Sequence, residues 1–297
     1  IRDFEGTTDQ TEILTGNGAA ELIYALCRAV PPGRALLTAT SFQEYENALE
    51  AADHSCEFLY LKEENDFILP LQELLLKITE ETSLVFLCNP GNPTGTVTGK
   101  AELVRLAERC EETKTFLCVD ECFLPFLPGE PALSMKGETV RFPHLAVLRA
   151  FTKVYGMPGL RLGYLMTGNR ELAERQKEKL PPWNVSLPAQ LAGAAALKAE
   201  GYLEKTRELI RGEKEKLVSV LLETVADRVY PGSVNFLFFH GREGLKEALL
   251  DRKILIRDCS NFKGLSRGYY RICIRTQEEN ERLKEISYSL AGKEAGK

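Results

Sequence analysis

The chain has 297 residues, a formal net charge of −5 and 44% hydrophobic residues. This composition is typical of a globular protein with one large domain and a smaller one. The acidic balance excludes a broad basic surface, so we expect neither nucleic-acid binding nor attachment to an anionic membrane. The first residues, IRDFEGTTDQ, are polar and no long apolar run follows, so we expect a cytoplasmic protein.

Cysteine and histidine, the usual ligands of zinc, are scattered along the chain. The eight cysteines lie mostly inside apolar segments such as VFLC and FLCVDEC, without C-x-x-C spacing. The three histidines are far apart in the sequence. We therefore expect no metal site, and we expect the cysteines to be buried and reduced.

The first half of the chain alternates apolar runs with amphipathic segments. Apolar residues at helical spacing predict helices at 19–30, 44–54 and 100–114. A strand is predicted at 35–40, and four nearly unbroken apolar runs favour strands buried on both faces of a parallel sheet. These runs are 83–88, 115–121, 145–151 and 162–167. The pattern predicts an α/β fold built from β-α-β units.

The second half changes character after a helical stretch. Residues 170–226 read as helices interrupted by the turn PPWNVSLP. The segments VNFLFF, KILIRDC and YYRICIR then predict strands, and NERLKEISYSL predicts a closing helix. We interpret residues 1–200 as a large domain with a mostly parallel sheet and flanking helices, and residues 201–297 as a small α+β domain.

Polar residues follow three of the predicted strands directly, in NPGNPTG, in DE and in RAFTK. Ligands of open α/β sheets bind beyond the carboxyl ends of the strands. The sequence therefore predicts one crevice that collects these side chains.

The segment TGNGAAE at 15–21 places small residues where a loop enters the first predicted helix. Free N–H groups and the positive end of the helix dipole favour an anion there, so Gly18, Ala19 and Ala20 are candidate phosphate ligands. An ordinary turn before a helix is the alternative.

The other candidates each have a structural alternative as well. Asp120 ends a buried strand, where a carboxylate needs a cation or several donors, but a solvated strand end would also explain it. Asn92 could belong to a plain turn, and Phe42 could belong to the core. Lys153 and Arg161, in RAFTKVYGMPGLRLGY, could serve solubility alone.

Taken together, these side chains are what pyridoxal 5′-phosphate requires. Lys153 would bind the cofactor aldehyde, and Asp120 would hold the pyridine nitrogen protonated. Phe42 would supply a flat surface and Asn92 an amide donor to the ring oxygen. Thr152 and Arg161 would complete the phosphate site.

With these residues in place, the chain resembles the fold-type I pyridoxal-phosphate enzymes of the class I/II aminotransferase superfamily. The resemblance runs from about residue 13 to 290 and rests on GNGAAE, NPGNPTG, VDE, FTK with R-L-G-Y, and Y-R-I. It implies a homodimer with the active site at the interface. It also implies a segment ahead of the phosphate loop, and we expect some substrate contacts to come from that segment.

Several segments are similar to the L-threonine-O-3-phosphate decarboxylases of cobalamin biosynthesis, and histidinol-phosphate aminotransferases are related to them. This resemblance implies a phosphorylated amino acid as substrate and assigns its carboxylate to Arg271. Phe123 stands where those aminotransferases usually have a tyrosine that donates to the cofactor ring oxygen. Arg257 and Arg275 are further cations that could face a substrate phosphate, but we interpret both as partners of surface ion pairs.

Three other functions stay open at this point. An aminotransferase would need a keto acid as amino-group partner. A catalytically idle cofactor-binding module is disfavoured by the intact Lys153, Asp120, Asn92 and Arg161. A plain nucleotide-binding protein is disfavoured because no Walker sequence and no G-x-G-x-x-G follows a first strand.

Overall fold

The computed structural model describes residues 1–292 and contains two β-sheets covered by helices. The larger sheet has the order β1-β7-β6-β5-β4-β2-β3. Its strands are β1 (Glu12–Gly16), β2 (Arg34–Ala39), β3 (Ser55–Tyr60), β4 (Thr82–Cys88), β5 (Phe116–Asp120), β6 (Leu145–Ala150) and β7 (Gly163–Thr167). The smaller sheet is antiparallel, with the order β10-β11-β9-β8. Its strands are β8 (Ala226–Val229), β9 (Phe236–Gly241), β10 (Arg257–Asp258) and β11 (Tyr269–Cys273).

The helices pack on both faces of the larger sheet and on one side of the smaller one. They are α1 (Arg2–Glu5), α2 (Ala19–Ala29), α3 (Glu44–Glu50), α4 (Leu71–Lys77), α5 (Lys100–Glu112), α6 (Glu130–Leu133), α7 (Phe151–Val154), α8 (Arg170–Lys177), α9 (Leu187–Leu197), α10 (Tyr202–Thr224), α11 (Leu245–Leu250) and α12 (Gln277–Leu290). In the part of the chain that the structure describes, no helix has the length and apolar character needed to cross a membrane.

The predicted α/β fold with a mostly parallel sheet is confirmed, with one correction. Strands β3, β2, β4, β5 and β6 run parallel, as their unbroken apolar sequences indicate. The run at 162–167 also forms a strand, but β7 is antiparallel to β6. A parallel crossover needs a long connection that usually carries a helix across the sheet, whereas the connection here holds only the four-residue α7.

Other elements differ from the sequence-based expectations in length or existence. The predicted helices at 19–30 and 100–114 are confirmed, and the one at 44–54 is shorter. The predicted strand KILIRDC was wrong for most of its length, since only Arg257–Asp258 pairs with a neighbour. Strands β1, β3 and β8 carry no strong apolar pattern and were not predicted. The domain boundary at residue 200 stays a prediction, and residues 293–297 of the small domain lie outside the described residues.

Apolar side chains on both faces of the larger sheet form its core. Helices α2, α3 and α8 cover one face, with Leu22 and Leu26 of α2 buried at helical spacing. Helices α4, α5 and α9 cover the other face. This two-sided burial leaves the ends of the strands as the place where polar groups of the sheet can collect.

A buried ionic cluster lies beside the end of β6. The Arg149 side chain is 3% exposed and contacts the carboxylates of Glu121 at 2.9 Å, Glu130 at 2.5 Å and Glu5 at 3.3 Å. Lys136 adds a second cation, 2.6 Å from Glu5. Burial raises the pKa of Glu121. Burial also opposes ionisation of Glu5, but Arg149 and Lys136 together hold the pKa of Glu5 below its ordinary value.

We predict that Arg149→Met destabilises the protein by about 3–5 kcal/mol, because it leaves buried carboxylates without their cation. Arg141→Met is the matched control, since Arg141 forms an exposed pair with Glu108, and it should cost at most about 1 kcal/mol. Urea unfolding of both variants measures the difference. Equal losses would contradict a special role for the buried cluster.

Candidate active site

The carboxyl ends of β4, β5 and β6 meet at one edge of the larger sheet. Cys88 at the end of β4 is the register partner of Asp120, and Asp120 is paired with Leu148 of β6. The segments NPGNPTG, DE and FTK all begin at this edge, as the sequence predicts.

The Asp120 carboxylate is buried and has a donor on each oxygen. Asp120 is only 5% exposed. The backbone N–H of Cys122 donates to Oδ1 at 2.9 Å, and the hydroxyl of Tyr45 donates to Oδ2 at 2.5 Å. These two hydrogen bonds therefore fix the orientation of the Asp120 carboxylate at the strand end.

Tyr45 was missed by the sequence analysis, although it follows Phe42 by three residues. Its ring stacks on Phe86, with centroids 4.9 Å apart and planes 10° apart. Phe42 meets the Tyr45 ring edge to face, with centroids 5.6 Å apart. Burial and the charge of Asp120 raise the pKa of Tyr45 well above its ordinary value, so the hydroxyl keeps its proton. The i, i+3 spacing of two aromatic residues was the available signal.

A candidate anion cradle lies where β1 turns into α2. Gly18 caps the helix at φ 84°, a left-handed conformation that favours glycine. The first N–H groups of α2, from Ala19 onward, have no acceptor within the helix. Glu21 accepts from the N–H of Asn17 at 2.7 Å, ahead of these groups.

Arg161 faces the same cradle from the start of β7. A Cβ on Gly18 would collide with the Arg161 guanidinium, so only glycine permits this approach. Arg161 itself has φ 56°, and its Nη1 donates to the carbonyl of Pro158 at 3.0 Å. The cradle therefore combines helix amides with a cation, as the sequence predicts for a phosphate site.

Gly163 brings the anion cradle close to the end of β6, after which Lys153 follows in the sequence. It pairs with Gly16 of β1 on one side and with Ala150 of β6 on the other. A Cβ on Gly163 would lie 2.5 Å from the backbone nitrogen of Ala19. After Ala150 and Phe151, α7 carries Thr152, which is buried, and Lys153, which is exposed. The role of Thr152 stays a prediction.

A chain of ring contacts leads from Lys153 to the smaller sheet. Lys153 Nζ lies 5.7 Å from the centre of the Phe123 ring. Phe123 meets Phe236 of β9 edge to face at 5.2 Å, and the Arg271 guanidinium lies 4.8 Å from the Phe236 ring centre. The smaller sheet thus presents Arg271 to the same crevice as Lys153.

Arg271 also joins the loop after β4. Its Nη1 donates to the amide oxygen of Asn92. Burial lowers the pKa of Arg271 below its ordinary value. Arg271, the predicted ligand of the substrate carboxylate, and Asn92, the predicted donor to the cofactor ring oxygen, are therefore neighbours.

Arg257 and Arg275, two more cations of the C-terminal part, differ in whether a carboxylate pairs with them. Arg257 is the register partner of Arg271, and both line a cavity of about 600 Å³. Arg257 donates to the amide oxygen of Asn261 at 2.7 Å, and no carboxylate among residues 1–292 lies within ion-pair distance of it. Arg275 is held by Glu279 at 2.7 Å. The expected surface ion pair is thus observed for Arg275, and Arg257 remains available to an anion.

Several known proteins are similar to this chain. The family model for aminotransferase class I and II matches residues 2–286. The chain is 37% identical to a threonine-phosphate decarboxylase from Salmonella typhimurium, over 91% of this chain and 74% of the relative. It is 28% identical to a histidinol-phosphate aminotransferase from Methanococcus maripaludis, over 96% of this chain and 77% of the relative.

A solved structure gives the same relationship. The histidinol-phosphate aminotransferase from Clostridium acetobutylicum superposes with a TM-score of 0.91 at 29% identity. The superposition covers 98% of this chain and 86% of that one. The fold and the family expected from the sequence motifs are confirmed, and so is pyridoxal phosphate as the family's cofactor.

We predict that Gly163→Ala weakens binding of pyridoxal phosphate, because the added Cβ pushes the start of α2 away from β7. Overpacking of this kind costs about 1–3 kcal/mol, or roughly 5- to 150-fold in affinity. Gly137→Ala is the matched control, since a Cβ there meets no atom within 4 Å. Cofactor titration followed by absorbance measures both. A normal affinity in Gly163→Ala would show that this contact does not shape the cradle.

Proposed function

The chain belongs to the aminotransferase class I and II family, and we propose that it decarboxylates L-threonine O-3-phosphate to (R)-1-amino-2-propanol O-2-phosphate. The observation that carries this proposal is the 37% identity to a threonine-phosphate decarboxylase over 91% of the chain. The corresponding value for a histidinol-phosphate aminotransferase is 28%. The product is a building block of cobalamin, as the resemblance implies.

The residues of the cradle fit the phosphate of pyridoxal 5′-phosphate. They offer free helix amides and a guanidinium around a glycine with no side chain, which are groups that phosphate binds. We assign the phosphate to Gly18, Ala19, Ala20, Thr152 and Arg161.

The other predicted side chains fit the ring of the cofactor. Asp120 is a buried carboxylate with two donors, so it can hold a proton on the pyridine nitrogen. Phe42 supplies an aromatic surface and Asn92 an amide. Lys153 projects from α7 with its Nζ accessible, and we assign to it the covalent bond to the cofactor aldehyde.

When bound, pyridoxal phosphate supplies an electron sink for the pair that remains on Cα after the carboxylate leaves as CO₂. Arg271 binds the substrate carboxylate before the bond breaks. The Nζ of Lys153 then delivers the proton that replaces the lost carboxyl group. Asp120 would accept the hydrogen bond from the ring N–H. No keto acid is consumed.

The substrate phosphate matches Arg257, the cation next to Arg271. Arg257 and Arg271 are cross-strand partners, so their side chains leave the same face of the smaller sheet. Arg257 has no carboxylate partner among the described residues, whereas Arg275 is neutralised by Glu279. We assign the substrate carboxylate to Arg271 and its phosphate to Arg257.

Phe123 supports decarboxylation over amino transfer. Its ring packs against Phe236 and lies below Lys153, and it offers no hydroxyl to the cofactor ring oxygen. The second candidate, a histidinol-phosphate aminotransferase, is favoured by the TM-score of 0.91 to such an enzyme. That function would need a keto acid such as 2-oxoglutarate.

A homodimer is part of the proposal. The turn before α9 and the helix itself expose a group of large apolar side chains, of which Trp183 is 97% exposed. Leu187 and Leu191 of α9 are exposed beside it at helical spacing. A second copy of the chain would cover this surface. A cytoplasmic location stays a prediction.

We predict that the protein, loaded with pyridoxal phosphate, releases CO₂ from O-phospho-L-threonine without any keto acid. Sustained turnover with stoichiometric aminopropanol phosphate is the expected result, and Lys153→Ala should abolish it because the proton donor is lost. Trapping of labelled CO₂ measures the reaction. Amino transfer from histidinol phosphate to 2-oxoglutarate, with no CO₂, would replace this function by the second candidate.

We predict that Arg257→Met raises KM for O-phospho-L-threonine by about 10- to 100-fold, the value of a hydrogen bond to a charged group. Arg275→Met, in the loop after β11, is the control and should leave KM nearly unchanged, because Arg275 is already paired with Glu279. The same CO₂ assay gives both constants. Equal effects of the two substitutions would remove Arg257 from the phosphate site.

A further inference from the structure

Tyr45 contacts the centre of the site without being one of the predicted site residues. It is 1% exposed, and its hydroxyl donates to Asp120 Oδ2 at 2.5 Å. Its ring is fixed by Phe86, stacked at 4.9 Å, and by the edge of Phe42 at 5.6 Å. A buried phenol with a fixed ring and a single charged acceptor controls where that acceptor points.

Tyr45 also influences the charge of Asp120. A hydrogen bond to a carboxylate stabilises its ionised form, and the effect is larger in a buried site. When a carboxylate faces a pyridine nitrogen, the proton between them lies either on the nitrogen, which gives an ion pair, or on the carboxylate, which gives a neutral pair. Each donor to the carboxylate favours the ion pair, in which the proton stays on nitrogen.

We propose that Tyr45 is a positioning residue that holds the Asp120 carboxylate oriented and ionised, so that the proton remains on the cofactor ring nitrogen. This inference rests on the proposed cofactor site. Tyr45 acts through Asp120, because Phe42 offers the aromatic surface and the Tyr45 hydroxyl is directed at the carboxylate.

The other titratable groups around Asp120 do not replace this donor. Burial raises the pKa of the neighbouring thiols, so they are uncharged at neutral pH, and the nearby cations among the described residues are the lysine assigned to the cofactor aldehyde and Arg271, whose charge acts on Cys88. These groups are Cys88 of β4, Cys118 of β5, Cys122 after β5, and Lys153 of α7. Cys122 contacts Asp120 through its backbone N–H and also through its thiol, whereas Tyr45 supplies the one hydroxyl donor that the structure records on this carboxylate, and Tyr45→Phe removes it.

The test compares Tyr45→Phe with wild type in the cofactor-loaded protein. The substitution removes the hydroxyl and keeps the stacked ring. We expect the Kd for pyridoxal phosphate to rise by about 10- to 100-fold, as for loss of a hydrogen bond to a charged group. A ring nitrogen that holds its proton less firmly makes the lysine-linked imine more basic. The pH midpoint of the visible absorption band should therefore move upward by about one unit, a tenfold change in proton binding.

Two controls separate positioning from general loss of structure. Tyr164→Phe removes another buried phenol that donates to a carboxylate, that of Glu5, and should leave the Kd and the pH midpoint unchanged. In an Asp120→Ala background, Tyr45→Phe should have no further effect on the Kd, since its acceptor is gone. An equal loss with and without Asp120 would overturn the proposal.

The outcomes distinguish this inference from the proposed function. Failure of the wild-type protein to bind pyridoxal phosphate would overturn both. Normal binding by wild type, with the Kd and pH midpoint unchanged in Tyr45→Phe, would overturn only the role of Tyr45. If Tyr45→Phe does not fold, 3-fluorotyrosine at position 45 keeps the hydroxyl and makes it a stronger donor. The pH midpoint should then move downward, and an unchanged midpoint would refute the proposal.

Discussion

A single buried charge, the carboxylate of Asp120, imposes the main constraint on this structure. A carboxylate at the end of a central strand cannot be left unpaired, because burial without donors costs several kcal/mol. The backbone of Cys122 and the hydroxyl of Tyr45 meet this need. The position of Tyr45 in turn depends on Phe86 beneath it and places α3 and Phe42 against the strand edge. The packing of the Phe42 and Tyr45 rings at the crevice is therefore a consequence of how the Asp120 carboxylate is stabilised.

The second constraint is the docking of the smaller sheet onto the larger one. Phe67, which follows the 3₁₀ turn Glu63–Asn65, is buried among aromatic rings of the smaller sheet. Glu63 accepts hydrogen bonds from Tyr230 and from Tyr269, the latter at 2.6 Å. Together with the contact of Phe123 and Phe236, this packing holds Arg271 opposite Lys153. The chemistry proposed for the site depends on both sheets, since neither one carries the lysine and the arginine together.

The large sheet and the polar segments at its carboxyl edge were predictable because their signals are local. Unbroken apolar runs identify buried strands, and polar segments follow them at the carboxyl edge. The direction of β7 was not predictable from its apolar pattern, which parallel and antiparallel strands share when both faces are buried. The shortness of β10 has a similar cause, since KILIRDC is apolar enough for a strand but only two of its residues find a partner.

The sequence by itself determined the family and its cofactor, because small residues before a helix, a strand-end aspartate and a loop lysine are each encoded within a few positions. The residues that would hold the cofactor stay a prediction. Only the tertiary structure decided which side chains support them. Tyr45 donates to Asp120, from which it is separated by 75 residues of sequence. Arg257 and Arg275 are the same residue type, but only in the structure is Arg275 seen to pair with a carboxylate while Arg257 pairs with an amide. Hydrogen bonding and charge compensation depend on distances in space, and spacing along the chain does not specify them.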